Sequence, residues 1–295
     1  MNTTHIENLV FESGGVKGVA YIGAIRALEE QNALQGIEKV AGTSAGSIMA
    51  ALLAVRFTPD EVHEAVFNMD FKSFEDDKNY REVKKHYGLY AGNTFLQWLK
   101  GLFVQKGVHP DITFAGLRQM GGRDLKVYAV DLYLQQLQEF SFDSTPDTIV
   151  TEAVRASMSI PLYFRAWQFS NGMPNRNLYV DGGVMLGYPI AAFDGPDSPA
   201  AETLGFRLDN TDQVATLNAF GYSDFPEYAK ALFASLLKAQ DALFAEDLKA
   251  QKRTVVINDL GVSGTNFDLT DAEKNALIAE GYQATTAFFE ERIIA

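Results

Sequence analysis

Short apolar runs alternate with helix-length segments along the first 60 residues of the chain. Residues 8–11 and 37–41 are apolar runs of strand length. Residues 19–31 carry apolar side chains at helical spacing, and a second helical run covers residues 47–54. A strand–helix–strand–helix series predicts a βαβ unit, in which the two strands are parallel.

The alternation continues to the end of the chain, so the pattern predicts an α/β fold. Further helices are predicted at residues 59–69, 94–103, 147–158, 226–248 and 271–290, and further strands at 125–130, 137–142, 164–169, 178–180 and 254–257. The polar stretch 70–93 is interpreted as a surface excursion. No internal repeat or linker divides the chain, and we expect a single domain over residues 1–295.

Composition narrows the possible functions. The chain has 295 residues, of which 47% are hydrophobic, and no cysteine, which excludes disulfides, thiolate nucleophiles and cysteine-based zinc sites. A net charge of −13 argues against nucleic acid as a partner and against electrostatic attraction to anionic lipid. The sequence contains neither a secretory signal pattern nor a membrane-spanning apolar run. We therefore expect a cytoplasmic protein, with export by a leaderless route left open.

The pentapeptide Gly42-Thr43-Ser44-Ala45-Gly46 lies between a predicted strand and a predicted helix. This is the sequence pattern of a nucleophile elbow, a sharp turn that exposes a serine hydroxyl at the edge of a sheet. Glycines flank the serine because the turn brings neighbouring backbone too close for a Cβ atom. Ser44 is therefore a candidate nucleophile at a helix N-terminus.

A serine nucleophile needs a base, and the positions of the histidines argue against a Ser-His-Asp triad. The four histidines are His5, His63, His86 and His109, so none lies beyond residue 109. In α/β-hydrolases the catalytic histidine follows both the serine and the acid in the chain. Asp181 directly follows a predicted strand and precedes two glycines, which makes it the best candidate base. The alternative interpretation is that Asp-Gly-Gly simply forms a turn.

Glycines 14, 15 and 18 follow the first predicted strand and suit an oxyanion hole, because they let backbone N–H groups approach a substrate closely. A phosphate cradle is the competing interpretation, but neither common nucleotide-binding glycine pattern is present. Lys17 could close on a carboxylate or steer an anionic head group, and we favour the structural role. The apolar stripe through Phe95 and Phe103 is interpreted as a core-facing helix rather than a lid.

Four motifs in this order resemble the patatin-like phospholipase family: 13–18 (Ser-Gly-Gly-Val-Lys-Gly), 42–46, 156–161 (Ala-Ser-Met-Ser-Ile-Pro) and 181–183 (Asp-Gly-Gly). The resemblance covers about residues 7–195. It implies a three-layer α/β/α fold with a mainly parallel sheet and a Ser–Asp dyad. The residues that it implies are Ser44 as nucleophile, Asp181 as base, Gly14, Gly15 and Val16 at the oxyanion hole, and Lys17, Gly18, Gly42, Gly46, Gly182 and Gly183 as supporting positions.

Two positions depart from the family pattern. Ser13 stands where the family usually has the first glycine of its loop, and Gly187 precedes Tyr188-Pro189 where the family often has asparagine. The resemblance leads us to expect a lipid acyl hydrolase that acts on phospholipid or another lipid ester, needs no metal or cofactor, and makes peripheral membrane contact. No motif identifies an activating partner. A soluble esterase or thioesterase and a catalytically silent lipid-binding module are the alternatives.

Overall fold

In a computed structural model of the protein, residues 5–81, 83–195, 200, 202–209 and 225–294 are described. The strands are β1 (Asn8–Phe11), β2 (Lys39–Thr43), β3 (Gly88–Tyr90), β4 (Asp124–Asp131), β5 (Gln136–Phe140), β6 (Leu162–Phe164), β7 (Tyr179–Asp181), β8 (Thr203–Asp209) and β9 (Thr254–Asn258). The helices are α1 (Ala20–Glu30), α2 (Ala45–Ala54), α3 (Pro59–Phe67), α4 (Val83–His86), α5 (Asn93–Gln105), α6 (Phe114–Gln119), α7 (Val150–Ser157), α8 (Phe225–Glu246), α9 (Leu248–Gln251) and α10 (Asp271–Ile294).

The central sheet has the strand order β5-β4-β2-β1-β8-β9, in which β4, β2, β1, β8 and β9 are parallel. Strands β5 and β7 both pair with β4 in the antiparallel direction, and β3 and β6 form a separate parallel pair. The predicted βαβ unit is confirmed by the parallel pairing of β1 with β2. The expected single domain includes residues 210–224, which lie outside the described ranges.

Helices cover both faces of the sheet, which gives three α/β/α layers. Successive side chains of a strand point to opposite faces: Leu9 and Phe11 join the larger hydrophobic cluster, whereas Val10 joins the smaller one. The larger cluster contains the apolar sides of α1, α2, α7 and α10, and the smaller one contains side chains of α8 and α9. Every residue of α2 is buried, which agrees with its almost entirely apolar sequence.

Two predicted segments differ from the structure. The strand predicted at residues 164–169 is wrong beyond residue 164: β6 ends there, and the rest contributes a single bridge between Trp167 and Tyr179. The surface excursion predicted at residues 70–93 is also wrong in part, because it contains β3 and a 3-10 turn, Phe71–Phe74, with both phenylalanines buried. The strand and the turn were not predicted because polar residues separate their apolar positions in the sequence.

Helix α5 packs into the core, as its apolar stripe predicted. Phe95, Leu99 and Phe103 are buried. The helix was predicted to begin at residue 94, but it begins one residue earlier, after Gly92, and the Asp76 carboxylate accepts the N–H groups of Gly92 and Thr94. Across the described residues, no helix is long and apolar enough to cross a membrane.

Candidate active site

Ser44 occupies a strained turn between β2 and α2. Its φ is 53° and its ψ is −124°, a backbone conformation that L-amino acids rarely adopt. The flanking glycines are required by close backbone: a Cβ on Gly42 would lie 2.2 Å from the Gly46 carbonyl oxygen, and one on Gly46 would lie 2.3 Å from the Phe11 carbonyl oxygen. The predicted elbow geometry is therefore present, and it holds Ser44 at the carboxyl end of β2.

Strand pairing brings Asp181 to the same point. Strands β2 and β7 pair with successive parts of β4: Thr43 is opposite Tyr128, and Asp181 is opposite Ala129. Because β5 occupies the other edge of β4 over residues 127–131, β2 and β7 must share one edge. The residue after Thr43 and the last residue of β7 are thus neighbours, although they are far apart in sequence.

The two side chains form a direct hydrogen bond. The Ser44 hydroxyl donates to Asp181 Oδ2 at 2.7 Å, and Asp181 Oδ1 accepts the Gly183 N–H at 2.8 Å. A Cβ on Gly182 would lie 2.4 Å from the Tyr128 carbonyl oxygen, so the turn after Asp181 needs glycine there. Asp-Gly-Gly therefore forms a turn, and that turn directs the Asp181 carboxylate toward the Ser44 hydroxyl.

Burial controls the charge of Asp181. The side chain is fully buried, and this burial raises the pKa of Asp181 to about 7, against the opposing effect of its hydrogen bonds from Ser44 and Gly183. In the part of the chain that the structure describes, no cation forms an ion pair with this carboxylate. A carboxyl group with a pKa near neutrality can accept and return a proton at physiological pH.

The motif at residues 156–161 supports both members of this pair. Ser157 Oγ accepts the Ser44 N–H at 2.8 Å and donates to the Tyr128 carbonyl at 2.6 Å. The Ser159 carbonyl accepts the Asp181 N–H at 2.8 Å. In the sequence this motif was recognisable only as part of a resemblance, because nothing there shows which backbone groups Ser157 and Ser159 contact.

Arg155 anchors the same segment. Its guanidinium is buried and donates to the carbonyls of Ala91 (2.7 Å) and Gly92 (3.0 Å) and to Ser159 Oγ (2.6 Å). Burial lowers the pKa of Arg155 to about 10, which leaves the side chain charged at neutral pH. Arg155 also lines a cavity that extends beside Ala45, a position that the sequence did not predict.

The glycine loop lies beside the elbow. A Cβ on Gly18 would come within 3.0 Å of the Ala45 Cβ, so this glycine allows the loop to pack against the start of α2. Gly15 has a φ of +58°. Over the described residues, the N–H groups of Gly14 and Gly15 have no hydrogen-bond acceptor, whereas Val16 N–H donates to the Gly264 carbonyl at 2.9 Å. Of the three expected oxyanion donors, two are free in this conformation and the third is engaged.

Lys17 closes on a carboxylate, one of the two arrangements expected from the sequence. Its ammonium group lies 2.7 Å from the Asp259 carboxylate, in the loop that also carries Gly264. The ion pair and the Val16–Gly264 hydrogen bond together hold the glycine loop against residues 259–264.

The two departures from the family pattern lie against each other. Ser13 N–H donates to the Gly187 carbonyl at 2.8 Å, and a Cβ on Gly187 would come within 3.0 Å of Ser13 Oγ. The Gly187 N–H donates to Gln240 of α8 at 2.7 Å. The Ser13 side chain thus fills space next to Gly187, and both the N–H and the carbonyl of Gly187 are hydrogen-bonded.

Two cavities meet at the glycine loop, since both contact Gly15 and Ile160. The first, of about 40 Å³, extends beside Ala45 and is lined by apolar side chains that include Met158. The second, of about 420 Å³, lies between the loop and α8, and its mainly apolar lining includes charged side chains, Arg207 among them. The site therefore offers one narrow apolar pocket and one wide mixed cavity.

The remaining titratable residues do not suggest a metal centre. Within the described ranges, no three His, Asp or Glu side chains come together in a way that could hold a metal ion. The hydroxyl of Ser44 contacts Asp181 and the sulfur of Met158, and no histidine among the described residues bonds to it.

Comparisons with known proteins show the family and the fold to which the chain is similar. The chain is 30% identical to the uncharacterized protein YqhO of Bacillus subtilis (strain 168), over 96% of this chain and 97% of YqhO. It is 27% identical to a protein of Invertebrate iridescent virus 6 named "Probable lipid hydrolase 463L", over 63% of this chain and 62% of that protein. Among solved structures, VipD from Legionella pneumophila shares the fold, with a TM-score of 0.69 and 17% identity over 97% of this chain and 67% of VipD. The family model described as Patatin-like phospholipase matches residues 9–194, and the chain belongs to this family.

Proposed function

We propose that the protein is a lipid acyl hydrolase with one catalytic domain, Ser44 as its nucleophile and Asp181 as its general base. The 2.7 Å hydrogen bond between the Ser44 hydroxyl and the buried Asp181 carboxylate carries this proposal. Membership of the patatin-like phospholipase family supports a lipid ester as the substrate. The name of the viral relative 463L points to the same substrate class.

Acylation begins with transfer of the Ser44 proton to Asp181 as the serine oxygen attacks the ester carbonyl carbon. The carbonyl oxygen becomes an oxyanion, which the free N–H groups of Gly14 and Gly15 stabilise. When the tetrahedral intermediate collapses, the bond to the alcohol breaks and Asp181 returns the proton to the departing oxygen. The products of this half-reaction are the free alcohol and an acyl-serine.

Deacylation repeats the same steps with water. Asp181 takes a proton from water as the water oxygen attacks the acyl carbon, and the new oxyanion occupies the same site. Collapse breaks the bond to the Ser44 oxygen, which recovers the proton from Asp181. The fatty acid is released and the enzyme returns to its starting state, with no metal or cofactor in any step.

The sizes of the two cavities favour different substrates. A pocket of about 40 Å³ is far smaller than ordinary ligand sites, which are roughly 300–1,000 Å³, and favours a short acyl group. The cavity of about 420 Å³ beside the glycine loop is large enough for a long chain or a glycerol moiety. A soluble short-chain esterase is therefore the second candidate function, supported by the narrowness of the first pocket.

Product analysis separates these candidates. The purified protein is incubated with mixed-acyl phospholipids and, in parallel, with a series of simple esters of increasing chain length, and the products are identified by mass spectrometry. We expect free fatty acid and lysolipid from the phospholipids, and neither product from Ser44→Ala. Turnover of only short soluble esters would replace the lipid hydrolase with the esterase. If neither the phospholipids nor the simple esters were hydrolysed, the result would favour the catalytically silent lipid-binding module.

A further inference from the structure

The tip of the β4–β5 hairpin exposes three consecutive apolar side chains. Leu132, Tyr133 and Leu134 are 44%, 80% and 49% exposed, and none of them has a role in the proposed chemistry. Isolated exposed apolar residues are common, but contiguous ones mark interaction surfaces. We call these three residues the hairpin tip.

The three backbone N–H groups of the hairpin tip already have acceptors within the protein. The N–H of Leu132 donates to the Leu178 carbonyl at 2.9 Å, and those of Tyr133 and Leu134 donate to Asp131 Oδ1 at 2.9 and 3.0 Å. An N–H group that enters an apolar medium without a partner is unfavourable. The hairpin tip can therefore leave water without exposing any of these three donors to the apolar medium.

The two segments that form and adjoin the hairpin tip carry no exposed acidic side chain, although the chain has a net charge of −13. Residues 132–138 contain no charged side chain, and the Asp131 carboxylate is buried. The neighbouring loop, residues 171–178, is attached through a 2.8 Å hydrogen bond from Asn177 to Asp131, and its one charged residue is the exposed Arg176. This surface can therefore approach phosphate head groups without the electrostatic repulsion expected from the net negative charge of the whole chain.

The hairpin tip projects from the edge of the sheet that holds Ser44. Strands β2 and β4 are parallel, and Tyr128 lies opposite Thr43, the residue before the serine. Leu132 follows Tyr128 by four residues, which places it about 13 Å further along the strand direction. A surface that binds the hairpin tip therefore faces the edge at which the ester is proposed to react.

We propose that the hairpin tip inserts into the head-group region of a glycerophospholipid bilayer and docks the Ser44 edge of the sheet on it. This inference rests on the proposed function, because it assumes that the ester lies in a lipid surface. Leucines give apolar contact, and tyrosine has the amphipathic ring that is enriched at membrane interfaces. The small size of the hairpin tip suits reversible, peripheral contact.

Vesicle sedimentation with Tyr133→Asp tests the proposal, and Met120→Asp is the matched control. Met120 is 49% exposed and lies just after α6, before the start of β4 and thus at the opposite edge of the sheet. With phosphatidylcholine vesicles, we expect Tyr133→Asp to lower binding and vesicle-lipid hydrolysis at least tenfold, and Met120→Asp to leave both unchanged. Turnover of a water-soluble short ester is expected to be equal in all three proteins, which shows that the site and fold are intact.

Three results would overturn the proposal: no vesicle binding by the wild type, unchanged binding by Tyr133→Asp, or an equal loss in Met120→Asp. A dimer that Tyr133→Asp dissociates, in a protein that ignores vesicles, would assign the hairpin tip to a second copy of the chain. Failure of the proposed function gives a different result. The wild type and Met120→Asp would bind vesicles and Tyr133→Asp would not, but none of the three proteins would release fatty acid.

Discussion

Asp181→Asn is expected to lower kcat for ester hydrolysis by roughly 10³-fold, within the range that positioned general bases contribute. Asparagine preserves the size of the side chain and can still accept a hydrogen bond from Ser44, but its amide cannot take the proton. The wild-type carboxylate is fully buried and receives the Ser44 hydroxyl at 2.7 Å, so no other described group can replace it without rearrangement. Steady-state kinetics on a soluble ester measure the loss.

Two serine variants serve as comparisons for the Asp181→Asn result. Ser44→Ala is expected to reduce turnover to the level of Asp181→Asn, because residues that act as one unit give non-additive losses. Ser47→Ala is the matched control: Ser47 is also buried and donates to the Ser44 carbonyl at 2.6 Å, yet has no proposed chemical role. We expect it to retain activity within about tenfold of the wild type. An Asp181→Asn protein with more than a tenth of wild-type kcat contradicts the dyad.

The stability of the wild type relative to Asp181→Asn is expected to fall as pH rises from 4 to 7. Burial raises the pKa of Asp181 to about 7 in the folded state, from an ordinary value of 3.8. Between these values the folded state retains the proton that the unfolded state has lost, so the contribution of Asp181 is fully present below 3.8 and is lost as pH approaches 7. At about 1.36 kcal/mol per pK unit, the change in the free energy of unfolding is on the order of 4 kcal/mol.

Urea unfolding of both proteins at several pH values measures this difference. Other buried carboxyls are present in both proteins and cancel; Glu12, whose pKa burial also raises to about 7, is one of them. A stability difference that stays constant between pH 4 and 7 would show that Asp181 is ionised throughout. The same titration predicts that kcat/KM rises with pH up to about 7 and then levels off.

The parts of the site that local backbone geometry determines could be read from the sequence. Gly42 and Gly46 are required by the turn at Ser44, and Gly182 by the turn after Asp181, so the pattern itself carried the information. The partnership of Ser44 with Asp181 depends on which edge of β4 receives β7, and no local pattern encodes that choice. The strand-end position of Asp181 and the two glycines after it had made it a candidate base, and the resemblance to a family paired it with Ser44.

Strand β8 was not predicted, although it pairs with β1 at the centre of the sheet. Arg207 interrupts its apolar run and gives the segment a polar appearance. In the structure this arginine is buried because carboxylates of Glu12, Asp209 and Asp241 surround it, at 3.3, 3.1 and 2.6 Å. A charge neutralised by residues distant in sequence cannot be distinguished from a surface charge in the sequence alone.

The structural contacts of the acidic run at residues 75–77 were also not predicted, because their partners are distant in sequence. Glu75 accepts a hydrogen bond from the Tyr163 hydroxyl, Asp76 accepts the N–H groups at the start of α5, and Asp77 pairs with Arg165 at 2.8 Å. These contacts attach the segment before α5 to β6 and to the residue after it. In the sequence, these three consecutive acidic residues had contributed to the interpretation of residues 70–93 as a surface excursion.

Labelling with a fluorophosphonate, followed by intact-protein mass spectrometry and peptide mapping, tests the central claim most directly. The reagent reacts with an activated serine and leaves a stable phosphonyl adduct, so it reports the nucleophile without assuming a substrate. We predict one adduct per chain, located on Ser44, with none on Ser44→Ala and a much slower reaction for Asp181→Asn. Equal labelling of the wild type and Ser44→Ala, or no labelling of the wild type, would contradict the assignment of Ser44 as the nucleophile.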